Sequence, residues 1–293
     1  MHGLRCALVL AAIAGCPLPG RAHPVKRVQP EPDVVQKAPR KDGTPVLELR
    51  VRARPELVAT LVAVILVEVG GVVLGNELTP DACRWCETNS IDDRTRDALR
   101  WSNTDLADDL SDVTGYVLVP GVAVGLMAAN AVREGRPSEW VDNAIMVGES
   151  FGAAGLLSHI AKFSFARERP FVSDLPPTGE DGDRPFDDNL SFYSGHTSRA
   201  FAMAVSAGTI ASMRDYRWAP AVWAAGGVFA GTTGYLRLAS DRHHLTDVLV
   251  GALVGSAIGV AVPWIHRAQV GPDLVIAFEP TRGGGLFTAR APW

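Results

Sequence analysis

Residues 191–213 have the sequence SFYSGHTSRAFAMAVSAGTIASM, in which a short polar cluster leads directly into an apolar run. The run, 197–213, approaches the length that a helix needs to cross the hydrocarbon core of a membrane. It is rich in Ala, Gly and Ser, whose small side chains suit close packing between helices. The stretch therefore predicts a bundled helix with Ser194, Gly195 and His196 at its N-terminal end.

Five further apolar stretches lie along the chain, at residues 57–75, 113–132, 141–161, 218–236 and 245–265. Together with 197–213 they predict an all-α bundle of about six apolar helices. Their length favours insertion in a membrane. A soluble bundle whose helices are fully buried would have a similar pattern, so this alternative stays open.

The N-terminus predicts an export signal, because Arg5 precedes the short apolar core Cys6 to Gly15. Cleavage after Gly20-Arg21-Ala22 is one alternative, and an uncleaved anchor is another. A third is the lipobox-like Ile13-Ala14-Gly15-Cys16, which would leave Cys16 lipidated. Residues 1–22 are thus predicted to be a signal peptide or a lipoprotein signal.

The remaining boundaries follow from composition. Residues 23–54 carry scattered Pro and charge and predict a flexible arm. Residues 55–267 hold the apolar stretches and predict the helical domain. In the tail, 268–293, short β-like runs at 274–278 and 286–289 flank three glycines and predict a hairpin.

Charge is distributed unevenly, although the net charge of −4 gives no broad basic surface for nucleic acid. Residues 23–54 contain eight Lys/Arg and four Asp/Glu, whereas 76–112 contain four Arg and ten Asp/Glu. The positive-inside rule therefore places 76–112 and 162–195 outside the cytoplasm. A cleaved signal would invert an even number of spans, so a secreted or lipid-anchored exported protein remains an alternative to a membrane-spanning one.

Cys83 and Cys86 form a C-x-x-C in the acidic stretch. In an exported protein this spacing predicts a local disulfide. A zinc site would need a second Cys/His pair, and a thioredoxin-like site would need a βαβ context. No second Cys/His pair has suitable spacing and no βαβ context is found, so no metal site is predicted.

Three polar clusters lie at the ends of apolar helices, and alternating helix directions bring all three to the same end of the bundle. The cations Lys162, Arg169 and Arg237 could bind phosphate oxygens there. Gly195 and Ser194 could add hydrogen-bond donors at a helix N-terminus. This set predicts a cradle for a tetrahedral dianion.

Two histidines could divide the chemistry. His243 and Asp247 are four residues apart, which on a helix would place them on one face. The carboxylate could hold one imidazole nitrogen and leave the other free to attack phosphorus. His196, next to Gly195, could protonate the leaving oxygen and later activate water.

The pattern K-x6-RP, SGH and R-x5-H-x3-D, in this order over about residues 113–265, resembles the type 2 phosphatidic acid phosphatase and vanadium haloperoxidase superfamily. The resemblance implies that His243 is the nucleophile, Asp247 its orienting partner and His196 the acid and base. It implies as phosphate ligands Lys162, Arg169, Ser194, Gly195 and Arg237. It also implies a metal-independent phosphatase without a cofactor that hydrolyses a phosphomonoester or pyrophosphate, such as a lipid phosphate, at the outer face of a membrane.

Two alternatives to a phosphatase stay open. A vanadate-dependent haloperoxidase would use the same cradle, and a non-catalytic membrane protein could use it to bind anionic lipid. Two positions depart from the family pattern, Tyr193 in place of proline and Leu236 in place of serine, and predict a changed loop geometry. Arg167 and Arg242 are predicted to be solvated or interfacial, and His244 to lie outside the site.

Overall fold

The computed structural model describes residues 49, 51, 53–73, 75–80, 82–175, 187–267, 275–281 and 284–290. The predictions for residues 1–22, for Cys16 and for most of the arm 23–54 lie outside this part of the chain. The chain forms two compact units, of which Leu47–Arg267 is the helical one.

The helical unit contains nine described α-helices and two short segments of other helical type. The helices are α1 (Ala53–Val73), α2 (Gly75–Leu78), α3 (Ser90–Leu99), α4 (Thr104–Asp112), α5 (Val119–Arg133), α6 (Glu139–Phe165), α7 (Gly195–Met213), α8 (Ala219–Ala239) and α9 (Leu245–Ile265). A π-helical segment, Val113–Leu118, joins α4 to α5, and a 3₁₀ turn, Pro170–Asp174, follows α6.

The predicted all-α bundle of about six apolar helices is confirmed, since a long helix covers each apolar stretch. The second helix starts earlier than its apolar stretch, because α4, the π-helical segment and α5 form one continuous helix over Thr104–Arg133. The acidic start of this helix is capped by Asn103, whose side chain accepts a hydrogen bond from the Leu106 N–H. This extension brings carboxylates towards the predicted site.

Three described helices are long and apolar enough to cross a membrane, namely Thr104–Arg133, Glu139–Phe165 and Leu245–Ile265. Large apolar side chains on their outer faces are exposed, among them Val117, Ile160 and Leu253. Such an outer surface is what helices in contact with lipid require.

The core lies around α7, most of whose residues are buried. Small side chains of α7, such as Ala200 and Ala207, pack with larger ones from the neighbouring helices, among them Met127, Met146 and Val222. The helix that follows the Ser-Gly-His cluster is therefore the central helix of the bundle.

Close approach of α9 to α7 depends on three glycines at four-residue spacing. A Cβ on Gly251 would lie 2.6 Å from the Ser194 carbonyl oxygen, and one on Gly259 would lie 2.6 Å from that of Ala202. Gly255 faces the Ser198 carbonyl in the same way. Glycine at these positions allows the two backbones to touch, which fixes the start of α9 against the start of α7.

The tail contains the predicted hairpin, with β1 (Val275–Thr281) antiparallel to β2 (Gly284–Arg290). Val275 pairs with Arg290 and Thr281 with Gly284. It contains none of the predicted site residues.

Candidate active site

The structure brings the three predicted clusters to one end of the bundle. Lys162 lies in the last turn of α6, Arg237 in the last turn of α8, and Gly195 and His196 in the first turn of α7. The loop before α9 supplies His243. The charges of Arg169, Arg237 and Lys162, together with His196, all act on His243, so these groups lie at the same end of the bundle and near one another.

Arg169 is buried at this end of the bundle and already bound to acceptors. Its Nε donates to the Asp187 carbonyl at 2.8 Å, and its Nη2 forms an ion pair with Asp187 Oδ1 at 2.6 Å. Its Nη1 donates to the Arg242 carbonyl at 3.2 Å. The guanidinium is thus held in place, with one carboxylate on it.

Arg237 is buried and bound in a similar way, to groups of α4. Its Nη1 forms an ion pair with Asp108 Oδ1 and donates to Ser111 Oγ at 2.9 Å. Its Nε has no hydrogen-bond partner among the described residues. Two of the predicted phosphate ligands therefore hold carboxylates from the protein itself.

Ser194 and Gly195 form the N-terminus of α7. Ser194 is the N-cap, and its Oγ lies 2.9 Å from Thr197 Oγ1. A Cβ on Gly195 would lie 2.7 Å from Arg199 Nη1 and 3.0 Å from Ser158 Oγ, so this position has room only for glycine. The N-terminus of the central helix, where free N–H groups favour an anion, therefore begins at Gly195.

His196 makes contact with the π-helical region. Its Nε2 lies 2.8 Å from Asp112 Oδ1, and its ring packs edge-on against Tyr116 at 4.8 Å between centroids. The histidine therefore has a fixed orientation and a carboxylate partner at the rim of the pocket.

His243 is buried, and neither ring nitrogen has a hydrogen-bond partner among the described residues. Its Nδ1 lies 3.6 Å from Asp247 Oδ2, which is longer than a hydrogen bond. Burial, together with the positive charges of Arg169, Arg237 and Lys162, holds the pKa of His243 well below its ordinary value. The imidazole is therefore neutral at pH 7, as a nucleophile requires.

The prediction that His243 and Asp247 share a helix face is wrong in one respect, since α9 begins at Leu245 and His243 precedes it. His244 is the N-cap of α9, and Asp247 accepts a hydrogen bond from its backbone N–H at 3.0 Å in a capping box. The side chains of His243 and Asp247 therefore approach each other because of this capping box, not because they share a helix face.

Asp247 is completely buried and accepts hydrogen bonds on both oxygens. Its Oδ1 pairs with Arg167 Nη1 at 2.6 Å, and its Oδ2 accepts from Ser191 Oγ at 2.6 Å. The prediction of a solvated or interfacial Arg167 is wrong, because this side chain is 1% exposed. Its second partner, Asp92, is 75 residues away in sequence, which no local pattern reveals.

The other residues that are predicted to lie outside the site, or that depart from the family pattern, differ in their positions. His244 is buried and its Nε2 lies 3.2 Å from the Glu168 carbonyl, so it supports the loop that contains Arg167 and Arg169. Arg242 is partly exposed and pairs with Asp108 at 2.9 Å, which agrees with an interfacial position. Tyr193 and Leu236, which depart from the family pattern, are both buried.

Cys83 and Cys86 are joined in a disulfide. Among the described residues, a single group could offer three ligands to a metal ion, formed by Glu56, Glu149 and His266. None of these three belongs to the pocket around His243.

Comparison with known proteins agrees with the motifs. Residues 143–270 match the PAP2 superfamily. A lipid A 1-phosphatase of Porphyromonas gingivalis is 33% identical over 148 residues, which cover 48% of this chain and 29% of that protein. The chain thus spans less than a third of this curated relative.

A solved structure, the first transmembrane PAP2 type phosphatidylglycerolphosphate phosphatase from Bacillus subtilis, is 18% identical with a TM-score of 0.44. That likeness covers 69% of this chain and 95% of the solved one. The match of residues 143–270 contains every residue of the three clusters. Residues 143–270 of this chain are therefore similar to the PAP2 superfamily.

Proposed function

We propose that this protein is a phosphatase that hydrolyses a lipid phosphate, as a phosphomonoester or pyrophosphate, through a phosphohistidine at His243 and without a metal. The observation that carries the proposal is the state of His243. It is buried and free of hydrogen bonds to described residues, and burial together with the charges of Arg169, Arg237 and Lys162 holds its pKa well below the ordinary value.

In the first step the lone pair of His243 Nε2 attacks phosphorus, since Nδ1 faces Asp247. The bond from phosphorus to the leaving oxygen breaks, and His196 gives that oxygen a proton. In the second step water attacks the phosphohistidine while His196 takes a proton from it. The N–P bond then breaks, and inorganic phosphate leaves with His243 neutral again.

The cations supply the electrostatic part of catalysis. A phosphoryl group in the pocket would replace the Asp187 and Asp108 carboxylates on Arg169 and Arg237, with Lys162 as a third positive charge. Prearranged charges of this kind stabilise the additional negative charge of the transition state.

A lipid substrate is supported by the exposed apolar faces of the helices that flank the pocket. The curated relative is also named for a lipid substrate, although it shares only part of its length with this chain. A phosphate at the end of the bundle and acyl chains along its outer faces would suit this geometry.

An extracytoplasmic site is supported by the charges at the two ends. The ends of α5, α7 and α9 opposite the pocket have basic residues, among them Arg133, Arg214 and Arg267. The end with the pocket has the acidic helices α3 and α4 and the disulfide. Basic segments favour the cytoplasmic side, and disulfides persist in oxidising compartments.

The test is a panel of phosphate substrates assayed with purified protein in vesicles that contain EDTA. Phosphatidic acid, an isoprenoid diphosphate and a soluble phosphomonoester are compared between wild type and His243→Asn. We expect turnover of a lipid phosphate that EDTA does not abolish and that the variant loses. Turnover that survives in His243→Asn contradicts the mechanism, and binding of anionic vesicles without turnover by wild type would favour a lipid-binding protein. Bromide oxidation that depends on vanadate and peroxide would favour a haloperoxidase.

A further inference from the structure

Arg167 lies between Asp247, the partner of His243, and helix α3. Its Nη1 pairs with Asp247 Oδ1 at 2.6 Å and donates to Thr246 Oγ1 at 2.7 Å. Its Nη2 pairs with Asp92 Oδ2 at 2.8 Å. One arginine thus connects the carboxylate beside His243 with a carboxylate of α3.

Arg167 is fixed from the side of the disulfide as well. Its guanidinium carbon lies 4.1 Å from the centre of the Trp85 ring, and Trp85 lies between the two disulfide cysteines. Two backbone hydrogen bonds connect these segments, from the Glu168 N–H to the Trp85 carbonyl at 3.1 Å and from the Arg84 N–H to the Ala166 carbonyl at 3.0 Å. The turn closed by the disulfide therefore sets the position of the arginine.

Asp92 completes the connection at the start of α9. It accepts from the Thr246 N–H at 2.9 Å and from Thr246 Oγ1 at 2.8 Å. Burial opposes its ionisation, but these hydrogen bonds and the Arg167 charge outweigh it and hold the pKa of Asp92 below its ordinary value. A charged Asp92 thus binds both Arg167 and the first turn of the helix that contains Asp247.

Arg167 is not placed to bind substrate. Both of its Nη groups are bound to protein oxygens, and the side chain is 1% exposed. Its effect on catalysis must pass through Asp247, whose Oδ1 it holds while Oδ2 faces His243 Nδ1.

We propose that Arg167, held by Asp92 and Trp85, is a positioning residue that orients Asp247 and thereby sets the attacking geometry of His243. This inference rests on the proposed function. It adds residues beyond the predicted nucleophile, its partner, the acid and base, and the phosphate ligands, and it assigns helix α3 a role in the chemical step.

The test compares Arg167→Gln and the milder Asp92→Asn with wild type in vesicles. Single-turnover rates of phosphoenzyme formation, steady-state kcat and KM, and inhibition by orthovanadate are measured. We expect the single-turnover rate and kcat to fall about 10- to 100-fold in Arg167→Gln, because small displacements of reacting groups have effects of this size. The KM and the vanadate inhibition constant should stay within about threefold of wild type, because the cradle residues are unchanged.

Arg214→Gln is the matched control. Arg214 is also buried and ion-paired, with Glu139 at 3.2 Å, but it lies at the other end of α7. It should lower the thermal stability without a selective loss of the chemical step.

Two results would overturn the inference while wild type is active. One is a kcat in both Arg167→Gln and Asp92→Asn within twofold of wild type. The other is a loss in both variants of kcat, vanadate binding and melting temperature in the same proportion as in Arg214→Gln, which would indicate a purely structural role. If the proposed function itself is wrong, the wild type will turn over no phosphate substrate.

Discussion

His243 Nδ1 lies 3.6 Å from Asp247 Oδ2, with neither side chain exposed to solvent. Because Asp247 is held by Arg167, Ser191 and the His244 N–H, the carboxylate is fixed and the imidazole has to move by less than an ångström to reach hydrogen-bond distance. Catalytic hydrogen bonds are often long before substrate binds. In the proposed mechanism, this arrangement lets His243 attack once a phosphoryl group enters.

The first prediction concerns pH. Burial and neighbouring positive charges disfavour the imidazolium form, so the pKa of His243 lies well below its ordinary value and the nucleophile stays unprotonated as the pH falls. We expect no loss of kcat/KM from His243 protonation at about pH 6.5, the ordinary imidazole pKa, and an acid limb only well below it. Arg169→Gln removes one of the positive charges, so its acid limb should move to higher pH. An acid limb of Arg169→Gln at the same pH as that of wild type, or at lower pH, would contradict this explanation. Arg100→Gln is the control, because Arg100 is exposed and pairs with Asp174.

The second prediction concerns the carboxylates on the cradle. Asp187→Asn removes the charge that substrate must displace from Arg169. We expect KM and the vanadate inhibition constant to fall about 2- to 5-fold, the range for a partly exposed ion pair. Asp174→Asn is the control, because Asp174 pairs with Arg96 and Arg100 instead. Unchanged or weaker binding in Asp187→Asn would argue against displacement.

The third prediction concerns the contact between α7 and α9. Gly251→Ala would place a methyl group against the Ser194 carbonyl, where overpacking costs about 1–3 kcal/mol. The melting temperature should fall, and activity should fall further because Ser194 and Asp247 are joined by a backbone hydrogen bond at this contact. Gly227→Ala, on α8 with no neighbour within 4 Å of the added carbon, should leave both unchanged. Equal effects of the two substitutions would show that close approach is not required.

The fourth prediction concerns the disulfide. Replacing Cys83 and Cys86 with serine loosens the turn that contains Trp85, which packs on Arg167. We expect kcat to fall about 2- to 10-fold, the size of effect that substitutions in a chain of packed side chains can have on a distant site. In the Arg167→Gln background the same replacement should have little additional effect, because Trp85 acts through Arg167. If the two losses of kcat multiply in the combined variant, Trp85 does not act through Arg167.

The sequence predicts the part of this molecule that depends on local pattern. Helix count and alternation are sufficient to bring Lys162, His196 and Arg237 to one end, because apolar length and helix direction are local properties. The apolar stretch 245–265 predicts the bounds of α9, but the position of His243 outside this helix was not predicted, because it depends on the capping box of His244 and Asp247. The pairs Arg167–Asp92 and Arg237–Asp108 join residues 75 and 129 positions apart, and only the tertiary fold defines them.

Chemical trapping of the phosphoenzyme shows directly whether His243 is the residue that becomes phosphorylated. Wild type and His196→Asn, in which both formation and hydrolysis of the intermediate should be slower, are each mixed with a lipid phosphate labelled with ³²P, quenched in alkali and digested for mass spectrometry. The proposed mechanism predicts an alkali-stable, acid-labile phosphate on His243 that is absent from the His196→Asn/His243→Asn double variant. Label on another residue, or substrate hydrolysis by wild type with no labelled histidine at any time point, would contradict it.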